Sequence, residues 1–157
     1  MDIVIREMRQ EEYPLLDEFL YQAIFIPKGA EPPPRDITSK PELQVYVQNF
    51  GQQEGDDCLC AQCGGEIVGA VWVRIMDDYG HIDENTPSFA ISLLPQFRGQ
   101  GIGTRLMRAM LERLAQKGVK QASLAVQKDN YAVKMYSRCG FEIVSENEQE
   151  YIMVYRA

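Results

Sequence analysis

The sequence predicts one domain with a mixed α/β fold, about seven strands with four helices, and three observations carry that prediction. An alternating segment, Cys58 to Gln62, a Gly64-Gly65 turn and an apolar run from Ile67 to Met76 (IVGAVWVRIM) together read as a β-hairpin. Ile102, Leu106, Met107, Met110, Leu111 and Leu114 form an apolar helical stripe between two strand-like segments, Ser88 to Leu94 and Ser123 to Val126. The length of 157 residues fits a single domain over 1–157 that buries its own core without staples, and no repeat, low-complexity tract or linker divides it. The first half is therefore largely antiparallel, and a strand-helix-strand unit follows it.

In chain order, Ile3 to Ile5 is a short strand, after which Tyr13, Leu15, Leu16, Phe19, Leu20, Ala23 and Ile24 repeat at helical spacing. Phe25 to Lys40 carries four prolines, which sustain neither a helix nor a central strand, so it reads as a long loop. Its proline triplet is also a pattern that proline-recognition modules bind; an ordered loop over the domain's own site is the preferred reading. Pro41 suits the first turn of a second helix, with Leu43, Val47 and Phe50 on one face and Gly51 as its stop. Beyond the hairpin, the strand from Ser88 ends at Pro95 and the helical stripe ends at Gly118, where a C-terminal glycine cap belongs. Asn130 to Cys139 reads as a short helix stopped by Gly140, and Phe141 to Val144 with Tyr151 to Tyr155 close the chain as paired strands.

Composition excludes several function classes. The chain is 45% hydrophobic and 25% charged, as soluble globular proteins are, and its formal charge is -7 with no basic run. It lacks the footprint that nucleic-acid or anionic-membrane binding needs. The N-terminal MDIVIREMRQ is broken by charges and makes neither a signal peptide nor an anchor, so a cytoplasmic address is expected, with Cys58, Cys60, Cys63 and Cys139 reduced. Cys58-Leu-Cys60-Ala-Gln-Cys63 is spaced as a metal clip might be, but the only histidine, His81, is far along the chain. Packing of Cys58 and Cys60 on one strand face is the better reading, and no metal is expected.

The chemistry-bearing motif is Arg98-Gly99-Gln100-Gly101-Ile102-Gly103-Thr104, which enters the strongest helix. A turn at a helix start has unpaired N–H groups and the positive end of the helix dipole, and glycine lets the backbone approach an anion closely. A nucleoside-triphosphate P-loop would need Gly-Lys-Ser/Thr, and Gly103 is followed by Thr104 and Arg105. A dinucleotide turn would need a third glycine where Thr104 stands. Both fail.

Two motifs in order give the resemblance. Arg98, Gly101 and Gly103 follow a strand ending near a proline; Asn130 opens a helix, Tyr136 comes six residues on, and Gly140-Phe141 follow that helix. In both motifs and in the order of elements over nearly the whole chain, the sequence resembles a GNAT-family N-acetyltransferase. That resemblance implies an acyl-CoA N-acyltransferase fold in which the strands at Ser88–Leu94 and Ser123–Val126 splay, with the pantetheine arm of acetyl-CoA in the wedge. It implies the pyrophosphate on the backbone of Arg98, Gly99, Gln100, Gly101, Ile102, Gly103 and Thr104, the arm near Leu93, and a cofactor contact from Asn130. Tyr136 is then the expected proton donor to the departing thiolate.

For the general base, Glu84 is the candidate, in HIDENTPS beside Asp83 and His81, although proximity and water suffice for many such reactions. The resemblance places the acceptor side at Phe25 to Pro41 with Tyr21 and Tyr46. The negative net charge favours a cationic amine, such as a polyamine, a lysine or a peptide N-terminus. A non-catalytic acyl-CoA sensor of the same fold is the alternative, and the family offers precedent for a homodimer that no exposed apolar stripe in this sequence demands.

Overall fold

Strands β1 (Ile3–Glu7), β2 (Asp57–Cys63), β3 (Glu66–Arg74) and β4 (Ser88–Leu93) run antiparallel to their neighbours, and β5 (Gln121–Gln127), β7 (Glu150–Arg156) and β6 (Glu142–Glu146) form a second antiparallel group. The two groups join in one seven-stranded sheet of order β1-β2-β3-β4-β5-β7-β6. Helices α1 (Leu16–Ala23), α2 (Pro41–Gln44), α3 (Ile102–Gln116) and α4 (Ala132–Arg138) complete the fold in this computed structural model, which describes residues 2–157.

The sheet is covered on both faces, and the strand pattern follows from that. In β2 and β3, Leu59, Ala61, Val71 and Val73 pack with Leu106, Met107 and Met110 of α3, whereas Cys58, Cys60, Ala70 and Trp72 pack with Leu16, Phe19 and Leu20 of α1. Alternate residues face opposite cores, so a central strand buried on both sides reads as a continuous apolar run. Cys58 and Cys60 share the α1 face, and burial pushes both thiols upward from their ordinary range. No helix among the described residues is long and apolar enough to cross a membrane.

Two predicted helices are shorter than the sequence pattern. Gln10–Leu15, with Pro14 inside it, is a tighter 3₁₀ segment, and the α-helix starts only at Leu16. α2 ends at Gln44 instead of running to Phe50. The reason is tertiary: Arg74 donates to the carbonyls of Val45 and Gln48 at 3.1 and 2.7 Å, Trp72 Nε1 donates to that of Tyr46 at 3.0 Å, and Asn49 adopts φ 53. Those carbonyls are used across the core instead of along a helix.

The feature that makes a site is the seam between the two strand groups. β4 and β5 are parallel but share one register pair, Ser88 with Ser123. Ser123 N donates to Pro87 O at 3.0 Å, Ser123 Oγ to Gly80 O at 2.7 Å, and Ser88 Oγ to Asp78 Oδ1 at 3.1 Å. Past this polar closure β4 stays with β3 as far as Leu93, β5 stays with β7 as far as Gln127, and the two diverge. The β5-facing edge of β4 is left without a ladder.

Candidate active site

A cleft of about 840 Å³ lies between the end of β4 (Ile91, Ser92, Leu93) and α4 with the segment before it, and the glycine turn lines it; the space between β4 and β5 themselves is a smaller chamber that adjoins it. The turn's shape requires glycine at two points: Gly99 has φ 75 and Gly101, immediately before α3, has φ 83. The N–H groups from Gly99 to Thr104 have no hydrogen-bond partner among the described residues, and the first helical bond is from Arg105 N to Gly101 O at 3.2 Å. Unpaired N–H groups in a glycine turn at a helix start suit an anion.

The structure brings most of the motif residues together. Leu93, Arg98, Gly99, Gly101, Gly103, Thr104, Asn130 and Tyr136 all line this cleft. Gln100 and Ile102 offer backbone only: Gln100 Nε2 closes the turn onto Gln96 O at 3.1 Å, and Ile102 is buried in the core. Arg98 fastens the turn to its surroundings, donating to Leu93 O at 3.3 Å and to Gln22 O and Oε1 at 3.1 and 3.2 Å. Asn130 Oδ1 accepts from Ala132 N at 2.9 Å in the turn that leads into α4, while its side-chain amide N–H groups remain unbonded among the described residues.

Tyr136 stands where the cleft meets a smaller chamber of about 270 Å³, and it lines both. Its ring packs against Phe141 with centroids 6.2 Å apart, and burial pushes its phenol up to about 12. The hydroxyl has no hydrogen-bond partner among the described residues, yet it is not sealed from solvent.

Sequence reasoning missed two basic groups. Arg35 and Arg138 join Arg98 in lining the cleft of an otherwise acidic chain. Arg35 lies 4.2 Å from the centroid of the Tyr21 ring and pairs with Glu18 at 2.6 Å, whereas Arg138 has no partner among the described residues. The α4 helix carries Tyr136 and Arg138 two positions apart, a pattern too common to have signalled anything alone.

Glu84 is not at the site. Its side chain is 85% exposed, lies 3.6 Å from His81 Nε2 and lines neither cavity. Asp83 closes the same loop locally, accepting from Asn85 N at 2.8 Å and Thr86 Oγ1 at 2.9 Å, and these bonds hold its carboxyl below the usual range. The loop is thereby tied to itself and turned outward. The proline-rich loop does face the cleft, through Phe25, Ile26, Pro32 and Arg35, and Tyr21 reaches it while donating to Pro33 O at 2.6 Å.

Comparison with known proteins decides the family. The acetyltransferase (GNAT) family model matches residues 7–141, most of the chain. The chain belongs to the GNAT acetyltransferase family. An uncharacterized N-acetyltransferase of Archaeoglobus fulgidus is 29% identical over 137 residues, 83% of this chain and 88% of that protein. A mycothiol acetyltransferase of Corynebacterium aurimucosum is 41% identical over 69 residues, 41% of this chain but only 23% of that longer protein. The PaiA N-acetyltransferase of Thermoplasma acidophilum, solved in complex with coenzyme A, has the same fold, with a TM-score of 0.72 at 19% identity and 100% of both chains covered. In this GNAT enzyme, the end of β4, the glycine turn and Tyr136 thus line one cleft of the family's fold.

Proposed function

We propose that this acetyltransferase holds acetyl-CoA in the cleft and passes the acetyl group to a primary amine that approaches through the smaller chamber. The observation that carries this reading is the position of Tyr136 at the junction of the two cavities, with the glycine turn lining the larger one. Acetyl-CoA supplies an activated thioester, a carbonyl open to attack and a thiol leaving group.

The chain's own residues supply binding and one proton. The unpaired N–H groups of Gly99, Gln100, Gly101, Ile102, Gly103 and Thr104 suit the pyrophosphate, and Arg138 and Arg98 add positive charge beside them. The free edge of β4 up to Leu93 suits the amides of an extended arm, which bond to it as a strand would. The unbonded side-chain N–H groups of Asn130 are placed for a further contact to the cofactor.

At the thioester the amine nitrogen forms a bond to the carbonyl carbon, the carbon–sulfur bond breaks, and the sulfur leaves as thiolate. Tyr136 hydrogen-bonds that sulfur and gives it a proton, while the amine nitrogen loses one to water and thence to the phenolate. A phenol held near 12 stays protonated wherever the enzyme operates, so it is always a donor. Activity should therefore rise with pH as the amine loses its proton. No falling limb should appear at about pH 10, where an ordinary tyrosine is half ionised. A kcat/KM profile that declines there for a thermally intact enzyme would count against Tyr136 as the acid.

The direct test is thiol release from acetyl-CoA across a panel of amines, with thermal stabilisation by acetyl-CoA as control. Turnover of at least one amine is expected. Stabilisation without turnover on any amine would favour an acyl-CoA sensor of the same fold.

A further inference from the structure

The smaller chamber has its own chemistry. Ala23, Ile24, Phe25, Ile91, Asn130 and Tyr136 form the mouth it shares with the cleft. Beyond that mouth its walls are apolar and aromatic, including Leu20, Leu43, Phe89 and Leu124 with the rings of Tyr46 and Tyr79. Among the described residues that line it, Glu150 alone carries a formal charge, whereas the cleft is lined by Arg35, Arg98 and Arg138 together with Asp129.

Glu150 is the first residue of β7 and pairs with Gln127 at the end of β5, so the sheet fixes its position. Its carboxylate has no hydrogen bond or ion pair among the described residues, and burial alone pushes it above the usual glutamate range. Two nearby groups are engaged elsewhere. Tyr46 Oη donates to Asp78 Oδ2 at 3.2 Å, and Asp78 also accepts from Ser88. Lys128, whose backbone N–H bonds to Gln149 O at 2.8 Å, sends its ammonium to Glu146 at 3.3 Å. A half-buried carboxylate without a counter-ion is unfavourable for folding and is an open place for a cation.

We infer that Glu150 is the specificity anchor of the acceptor site: it pairs with a second, distal ammonium of the substrate while the amine to be acetylated waits at the mouth beside Tyr136. The inference rests on the acetyl-transfer reading above. Glu150 lines the chamber and not the cleft, which suits it to hold the far end of an acceptor and not to deprotonate the near one. A volume of about 270 Å³ admits a short unbranched chain. The substrate class is a small diamine, its alkyl body along the apolar wall and its remote charge on Glu150, in a chamber that the rings of Tyr46 and Tyr79 also line.

The experiment compares diaminopentane with pentylamine and aminopentanol by thiol release. The wild type should favour diaminopentane in kcat/KM by about tenfold or more, the worth of one charge-assisted hydrogen bond, with most of the difference in KM. Glu150→Gln should abolish the preference through a KM increase for diaminopentane of about tenfold, and should melt no lower than the wild type because the carboxylate it removes has no partner. Equal use of the three amines by the wild type, or an unaltered preference in Glu150→Gln, would overturn the anchor. If no amine is acetylated, thermal stabilisation by diaminopentane decides the matter separately. Stabilisation that is present in the wild type and lost in Glu150→Gln sustains the anchor while the transfer reading fails, and equal or no stabilisation removes both.

Discussion

Tyr136→Phe is expected to lower kcat by a factor of about 10²–10⁴, while acetyl-CoA still raises the melting temperature by the wild-type amount. The substitution removes one oxygen and keeps the ring. That ring is what packs: it sits against Phe141, itself in edge contact with Phe89 at 5.7 Å. The hydroxyl bonds to nothing among the described residues, so its loss leaves no buried donor or acceptor stranded. Nothing in the fold therefore resists the change, and the effect falls on the departing sulfur, which must leave without a proton. The corresponding increase in the barrier is about 3–5 kcal/mol. Turnover near the wild-type rate, with acetyl-CoA stabilisation intact, would remove Tyr136 from the chemistry and leave water as the acid.

What was legible in the sequence is what depends on neighbours along the chain. The stripe Ile102, Leu106, Met107, Met110, Leu111 and Leu114 is the buried set of α3, because a helix buries every third or fourth residue whatever it packs against. The cysteine alternation in β2 was readable for the same reason. α2 was not, because its C-terminal end depends on Arg74 and Trp72, some 26 to 29 residues away, taking its carbonyls. Periodicity was also silent on the wedge: β4 and β5 are strands in pattern whether or not they pair with each other, and only the family motifs pointed to their divergence. The acceptor-side carboxylate was missed most instructively. Glu84 drew attention by standing beside His81 and just before β4, but its loop bonds to itself and turns outward. Glu150, in the polar run Ser145-Glu146-Asn147-Glu148-Gln149-Glu150, reads as part of a solvated turn; β7 carries it against the end of β5, and this long-range pairing desolvates it.

Asp56→Ala should be the most destabilising single change away from the cofactor cleft, by about 3–5 kcal/mol, because it strands a buried guanidinium. The Arg74 and Asp56 side chains are each 1% exposed, and they meet in two parallel bonds of 2.9 Å. Asp56 Oδ2 also accepts from Gly51 N at 2.8 Å and Gln53 N at 3.2 Å, while Arg74 holds Val45 O and Gln48 O. One ion pair therefore ties β3 to the whole irregular segment from Val45 to Asp56. At the scale of this chain, the loss corresponds to a melting-temperature fall of about 10 °C. Tyr46 lies in that segment and lines the smaller chamber, so amine KM should rise as well, while stabilisation by acetyl-CoA persists because the glycine turn is in another part of the fold. The double variant Asp56→Leu with Arg74→Met removes both charges together. It should recover much of the stability lost by either single change, since replacing a buried pair with apolar groups is far less damaging than orphaning one member. Denaturant unfolding of Asp56→Leu, Arg74→Met and the double measures the coupling directly. Additive losses in that cycle would mean that Arg74 acts through its carbonyl bonds to Val45 and Gln48 and that Asp56 acts through its turn, with no dependence of one on the other.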